Sequence, residues 1–562
     1  MQDLTRSQKA RFAISSFQTM AKALALRGFF RPSGRMGGQL AEYLLTLSPE
    51  IYGSMTDSRV VELNGLEYVI DRLPRGIEEC TRITLTEEDR FGDNVFEEIV
   101  PPKRRRTCYR ISDSEMCFVV TRGLSEIYDT LTHLTFLNIE ARKIEARVAE
   151  QTGNITNEWR DLQKHVECPE DLSEHELERA IWNLSLIVGR PYSETRQAYE
   201  RLEKSRAAYR SNNGLFSIVY HLGKRVHEEK KAPEKMLFVN FTPSLMNIIA
   251  HQRNGERWAA GIRSKINEFG LQDRPLHIIS ANMHSVVNLI YGYAAATTCA
   301  AIPASEDNLY AFISCIREHG AEILAYGREH GLFEVKDGSG SQVDCQIIDT
   351  AMIADVPQHP DHRIDFTQMG NPPPVLLVMD YAFGAQAYEV LDCLLDPATG
   401  NPPRRLNVKS ISIMGKAGIL PGKKGDIMLA TAHVIEGTSD NYFCKNDLTA
   451  ADFEPGIDVY TGPMITVLGT SLQNRDLLQR FQETWHTIGL EMEGAHYQRA
   501  INAAIIKGYI PRSVKTRYAY YASDNPLISG QTLAAGEMGS EGIRPTYMVT
   551  RVILEKIVSN PR

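Results

Sequence analysis

From about residue 236 the chain alternates short, almost unbroken apolar runs with helical patterns, and this alternation most narrows its fold. Met236–Phe241, Leu276–Ser280, Val375–Met379, Val408–Met414, Asp426–Ala430, Met464–Leu468 and Arg517–Ala522 are expected strands. Strands that alternate with helices define an α/β class, a sheet flanked by helices. In open α/β sheets, ligands bind beyond the C-terminal tips of the strands. Chemistry is therefore expected in the residues that follow these runs.

The preceding part of the chain has a different texture. Residues 122–152 carry Leu124, Ile127, Leu131, Leu134, Ile144 and Val148 at helical spacing, with Gly153 as the expected stop. Ser173 and Glu176 form a capping box ahead of Leu177, Ile181, Leu184 and Val188, and Gly189 and Pro191 end that pattern. A further helix is expected over about 194–212. The charged segment His227–Lys235, with Pro233 inside it, is the expected boundary. It separates a mainly helical N-terminal domain, 1–232, from an α/β catalytic domain, 233–562. The basic run Lys103–Arg106 reads as a solvated loop, and the segment Arg31–Gly38 as a flexible turn.

Composition excludes several classes. A chain of 562 residues supports more than one core. A net charge of −8 argues against a broad nucleic-acid surface. The nine cysteines are odd in number and form no CxxC pair, so a reduced, cytoplasmic setting is expected instead of a disulfide framework. Phe12–Phe17 is too short and broken for a secretory core. Val286–Ala304 carries Asn288, Tyr291 and Tyr293 and is broken by Pro303, so a buried helix is expected and no membrane span. No HExxH, Walker loop, GxGxxG after a strand, or GxSxG occurs, so no metal and no cofactor is expected.

The candidate chemistry gathers in Ile488–Pro526. Glu491-Met492-Glu493-Gly494-Ala495 opens a helical pattern that Gly508 and Pro511 close, and Ser523-Asp524 ends an aromatic strand. Glu493 is thus a carboxylate at a helix entrance and Asp524 one at a strand tip. Upstream, Gly415-Lys416-Ala417-Gly418 follows the strand 408–414; glycines there let backbone N–H groups face a ligand oxygen, and Lys416 adds positive charge. Thr470 and Ser471 end another strand, as N-caps or as contacts to a sugar or phosphate. His284, His433 and His496 read as structural histidines. Taken singly, Glu493 and Asp524 read equally well as a helix cap and a turn cap.

In order, these pieces resemble the nucleoside phosphorylase/nucleosidase superfamily: a strand leading to a small-residue helix start, GKAG, GD opening a strand, MEGA on a helix, and a strand ending in SD. The tail Ser523-Asp524-Asn525-Pro526-Leu527, with Gly530 and a closing helix near Thr546–Ile557, looks most like AMP nucleosidases. The resemblance covers about 375–557. It implies that Glu493 holds the ribose hydroxyls, that Met492 packs beneath the sugar, and that Asp524, beside Ser523, protonates the departing purine. It places Gly415–Gly418 near the ribose and the nucleophile. Many phosphorylases carry a phosphate-gripping arginine just before that segment, where this chain has Ser412-Ile413-Met414.

The implied function is hydrolysis of the N-glycosidic bond of a purine nucleoside or nucleotide, by an enzyme assembled as a homo-oligomer. The alternatives are a purine nucleoside phosphorylase with phosphate as second substrate, and a nucleotide-sensing or scaffold protein without turnover. For the enzyme reading, Asp524 has to be raised above the ordinary value of about 3.9 to act as an acid. Glu493 is expected to stay ionised and to accept hydroxyl hydrogen bonds.

Overall fold

The computed structural model describes residues 4–87, 95–104, 106–149, 154–168, 172–248, 253–299, 302, 308–362, 364–528 and 539–559. By internal packing the chain divides into two units. One comprises Met1–His251 with Ser471–Leu477, the other Gln252–Thr470 with Leu478–Arg562.

Helices dominate the first unit, and Gly123–Glu145 is buried along most of its length. Gly153, its expected stop, lies outside the described residues. The capping box at Ser173 and Glu176 forms, and the helix Glu174–Val188 ends at Gly189 with φ +68°. The unit also holds a six-stranded sheet that the sequence reading missed. Its order is Phe29–Phe30, Phe238–Phe241, Arg82–Thr86, Glu115–Val119, Thr107–Ser112, Glu97–Glu98. Segments such as Arg82-Ile83-Thr84-Leu85-Thr86 alternate polar and apolar residues and give no unbroken apolar run.

Phe238–Phe241, expected in the second domain, pairs parallel with Arg82–Thr86 instead. Its backbone hydrogen bonds therefore tie it to the first sheet, and the division falls after residue 251 and not after 232.

The second unit is the expected α/β architecture, a ten-stranded mixed sheet. Leu276–Ser280 runs parallel to both Val375–Met379 and Val408–Ile419, and Cys345–Asp349 and Leu332–Val335 extend that side antiparallel. The continuous apolar run Val375–Met379 is explained by cover on both faces. Leu376 and Val378 join a core with the helices Met283–Thr298, Leu309–Ile316 and Ile543–Ser559. Val375, Leu377 and Met379 join another with Arg253–Glu268, Gln386–Leu395 and Gly494–Ile506. The run from Val286 is the buried helix expected. No described helix is long and apolar enough to cross a membrane.

Five strands of this sheet close on themselves. Ile427–Ile435 pairs with Val459–Thr466, which pairs with Gly489–Glu491, which pairs with Val408–Ile419. Lys515–Asp524 pairs with Val408–Ile419 on one side and with Ile427–Ile435 on the other, completing the ring. Four of these strands are longer than the sequence suggested. Val408–Ile419 runs straight through Gly415–Gly418, which the sequence reading made a loop, and Lys515–Asp524 extends to the acid itself. A strand ladder with Tyr520–Ala522 claims that glycine segment.

Candidate active site

The ring sets the positions of both carboxylates. Gly418 pairs with Leu490 on one flank and with Asp524 on the other. Met414–Ala417 lie between the end of pairing to Ser280 and the start of pairing to Leu490, so among the described residues their ladder runs on one flank only. Gly415 borders that notch. A Cβ there would meet nothing closer than the Tyr381 ring at 3.6 Å.

Asp524 is the last residue of its strand, and the register slips just before it. Ala417 pairs with Ala522 and Gly418 with Asp524, so Ser523 is the extra residue of a bulge. Bulges re-aim the side chains beside them, and here the affected residue is the acid. Ser523 Oγ donates to Asp524 Oδ1 at 2.6 Å and lies 3.3 Å from the Ala417 carbonyl. Oδ2 is buried without a hydrogen-bond partner. Burial pushes the carboxyl up to about 6, although Ser523, Lys416 and Lys424 pull it back. The exposed Lys416 thus contributes charge near the acid.

Glu493 is the N-cap residue of the helix Gly494–Ile506, yet its carboxylate makes no cap hydrogen bond. That role belongs to Glu491, at the end of the neighbouring strand. Glu491 Oε2 accepts the backbone N–H groups of Glu493 (2.5 Å) and Gly494. Its Oε1 accepts from Thr466 Oγ1 at 2.5 Å and lies 3.4 Å from His433 Nδ1. Thr466 Oγ1 in turn accepts the N–H of Ala495 at 3.0 Å. Burial alone would push the Glu491 carboxyl up, but His433, Thr466 and the Gly494 N–H hold it below the usual range. The anion sits where a helix N-terminus favours negative charge.

Glu493 is thereby released from capping. Its Oε1 accepts the N–H of Gly384 at 2.9 Å, in the loop that follows the strand Val375–Met379. Gly384 has φ +57°, a left-handed conformation that glycine adopts freely. Burial, reinforced by the Glu491 anion, pushes the Glu493 carboxyl up to about 8. This direction is opposite to the expectation that Glu493 stays ionised.

The predicted residues Glu493, Met492, Asp524, Ser523, Gly415 and Lys416 thus come from strands and loops joined around Gly418 and Gly384. Met492 is half-buried between the two glutamates. Thr470 opens a 3-10 turn beyond the strand Val459–Thr466. Ser471, beside it, is buried within the first unit and faces Tyr52 there. The sequence reading missed Glu491, although it stands two residues before Glu493. His433, read as a structural histidine, is fully buried against Glu491 and against the Tyr518 ring at 4.7 Å.

These pieces define an α/β protein with one carboxyl at a strand end, Asp524, whose Oδ2 is buried without a partner, and a second at a helix entrance, Glu493. The chain belongs to a family of unknown function (DUF6909), whose pattern it matches over residues 39–308 and 310–559. A comparison with curated proteins finds no match. Among solved structures it is similar to the 5'-methylthioadenosine/S-adenosylhomocysteine nucleosidase of Campylobacter jejuni, at 11% identity over 51% of this chain and 100% of that one, with a TM-score of 0.31. It is similar to the futalosine hydrolase of Helicobacter pylori at 11% identity over 51% and 99%, TM-score 0.30. It is also similar to the Neisseria meningitidis methylthioadenosine nucleosidase bound to methylthio-immucillin-A, at 11% identity over 50% and 99%, TM-score 0.30.

Proposed function

We propose that the second unit hydrolyses the N-glycosidic bond of a purine nucleoside or nucleotide, as an AMP nucleosidase-like enzyme. The observation that supports this most is the flanking of Gly418 by Leu490 and Asp524. It brings the strand that leads into Glu493 and the strand that ends in Asp524 to one residue. Cleavage of such a bond develops positive charge on the sugar and negative charge on the departing base. Asp524, raised to about 6 and with Oδ2 uncommitted, donates a proton to the base.

Glu493 takes the sugar. Its neutral carboxyl ionises when ribose hydroxyls donate to it, since hydrogen bonds to the charged form lower a pKa. The anion then stabilises the cationic ring. Met492 packs against the sugar, and Gly415 with Lys416 lines the water side through the one-flanked stretch of strand. Oxygen-binding backbone is available there because Met414–Ala417 have an unpaired flank.

Chromatography of products from AMP, adenosine, inosine and methylthioadenosine, with and without phosphate, tests the reading. Free ribose or ribose 5-phosphate, formed without phosphate, supports hydrolysis. Ribose 1-phosphate formed only with phosphate would replace it by phosphorolysis. Tight binding of one of the four without product would replace it by a sensor.

A further inference from the structure

One stretch of the first unit carries charge of a single sign. Residues 4–41 hold seven lysines and arginines and no aspartate or glutamate, in a chain whose net charge is −8. Most of that stretch is one helix, Arg6–Arg27, which bears five of the seven cations. Its buried line, Ala10, Ala13, Ile14, Phe17, Ala21 and Leu24, packs it into the unit. The helix is therefore fixed in the fold, and its opposite face is what it offers to a partner.

On that opposite face stand Arg11, Lys22, Leu26 and Phe12, within about 100° of one another at 3.6 residues per turn. All four are exposed, Phe12 at 62% and Leu26 at 64%. The exposed Lys9 and Arg27 flank them. Arg27 lies over the Phe29 ring at 4.3 Å, and Arg31, just beyond, over the Phe238 ring at 5.2 Å. The exposed Arg35 opens the next helix, Arg35–Leu47, which packs against the first. Among the described residues, Lys9, Lys22, Arg31 and Arg35 form no ion pair. Like charges gathered without counter-charges repel one another, so an anionic surface laid across them is favoured.

The apolar pair decides which anionic surface fits. Phe12 and Leu26 stand about 21 Å apart at 1.5 Å per residue, so only a surface running along the helix touches both. A nucleic acid meets the cations with phosphates but offers an isolated leucine little apolar surface to bury against. A bilayer supplies both layers at once: anionic headgroups for the cations and, just beneath, acyl chains for Phe12 and Leu26. The contact is peripheral, because the helix keeps its buried line in the protein and no described helix can cross a membrane.

We propose that the outer face of Arg6–Arg27 binds an anionic membrane surface, with Phe12 and Leu26 dipping below the headgroups. The inference is independent of the glycosidic reading. Co-sedimentation of the full chain with phosphatidylcholine vesicles, with and without phosphatidylserine, tests it, beside a single-stranded oligonucleotide as a polyanion without acyl chains. The chain should bind phosphatidylserine-containing vesicles at least tenfold more tightly than phosphatidylcholine alone, and should release them at high salt. Lys9→Glu with Lys22→Glu should weaken that binding at least tenfold. Phe12→Ser with Leu26→Ser, which leaves every charge in place, should weaken it several-fold. All four positions are exposed, so both variants should keep the circular dichroism of the wild type. No binding to the phosphatidylserine vesicles, equal binding to phosphatidylcholine alone, tighter binding of the oligonucleotide, or binding indifferent to either pair of substitutions would each overturn the proposal.

Discussion

Leu490 and Asp524 flank the same residue, Gly418, from opposite sides. The acid is therefore held one strand away from the strand that delivers Glu491 and Glu493, although the two segments are separated along the chain by a whole helix. Asp524→Asn keeps the acceptor for Ser523 but removes the proton. Base release should fall by about 10²–10⁴-fold, with the far-ultraviolet circular dichroism unchanged; product chromatography beside the wild type checks it. Full activity in the variant would remove Asp524 from the chemistry.

Asp524 is pushed up to about 6 by burial, so its proton-donating form is lost as the pH rises through that value. Turnover should therefore decline above about pH 6. Lys416→Met removes a charge that pulls the acid down, and should move this limb to higher pH. A pH profile of both proteins reads the shift, and coincident limbs would speak against Asp524 as the titrating group.

Glu491 carries the helix cap, and its charge adds to burial in raising the Glu493 carboxyl. Glu491→Gln should cost about 0.5–2 kcal/mol of stability, the usual scale for a lost cap. It should also lower the Glu493 pKa. Wild-type protein should release a proton on binding a ribose-bearing inhibitor at pH 7, and the variant less. Calorimetry in buffers of different ionisation enthalpy measures that release.

Gly494 packs where a Cβ would collide with His433 and stand 2.7 Å from Tyr520 Oη. His433 is wholly buried and cannot retreat into solvent. Gly494→Ala should destabilise by about 1–3 kcal/mol, the range for overpacked cores. Chemical denaturation gives the value, and a change near zero would mean that the helix entrance yields.

Glu436 is buried at 3% exposure with Oε2 unpartnered, and burial raises its carboxyl to about 8. Its pKa is higher folded than unfolded, so its contribution is complete below about 4.5 and is lost as pH rises toward 8. Glu436→Gln cannot ionise and escapes that loss. The melting temperature of the variant relative to wild type should rise between pH 6 and pH 8.5. A difference independent of pH would show that Glu436 does not titrate in this window.

The second unit was legible because its strands are covered on both faces. Val375–Met379 and Leu276–Ser280 stand where their unbroken apolar runs put them. The first sheet was not legible, because Thr107–Ser112 and Arg82–Thr86 mix charges and hydroxyls into half-exposed strands. The order of motifs drew attention to Glu493 and Asp524. The division of labour between Glu491 and Glu493 could not be read there, because it depends on which side chain reaches the N–H groups of the next turn. Gly415–Gly418 looked like a turn because two glycines in four residues usually break a ladder. The strand tolerates them because one of its flanks there is unpaired and open.

Each strand of the closed ring of five pairs with two others in it, the stretch Met414–Ala417 running with one flank open among the described residues. Opening any one of its strands breaks ladders on both sides at once, so its amide hydrogens should exchange with deuterium together, in one slow cooperative event. The outlying strands Leu332–Val335 and Asn441–Phe443, each bonded to a single neighbour, should exchange well before it. Both strands that carry the proposed sugar and base contacts would then keep their alignment through the everyday breathing of the molecule.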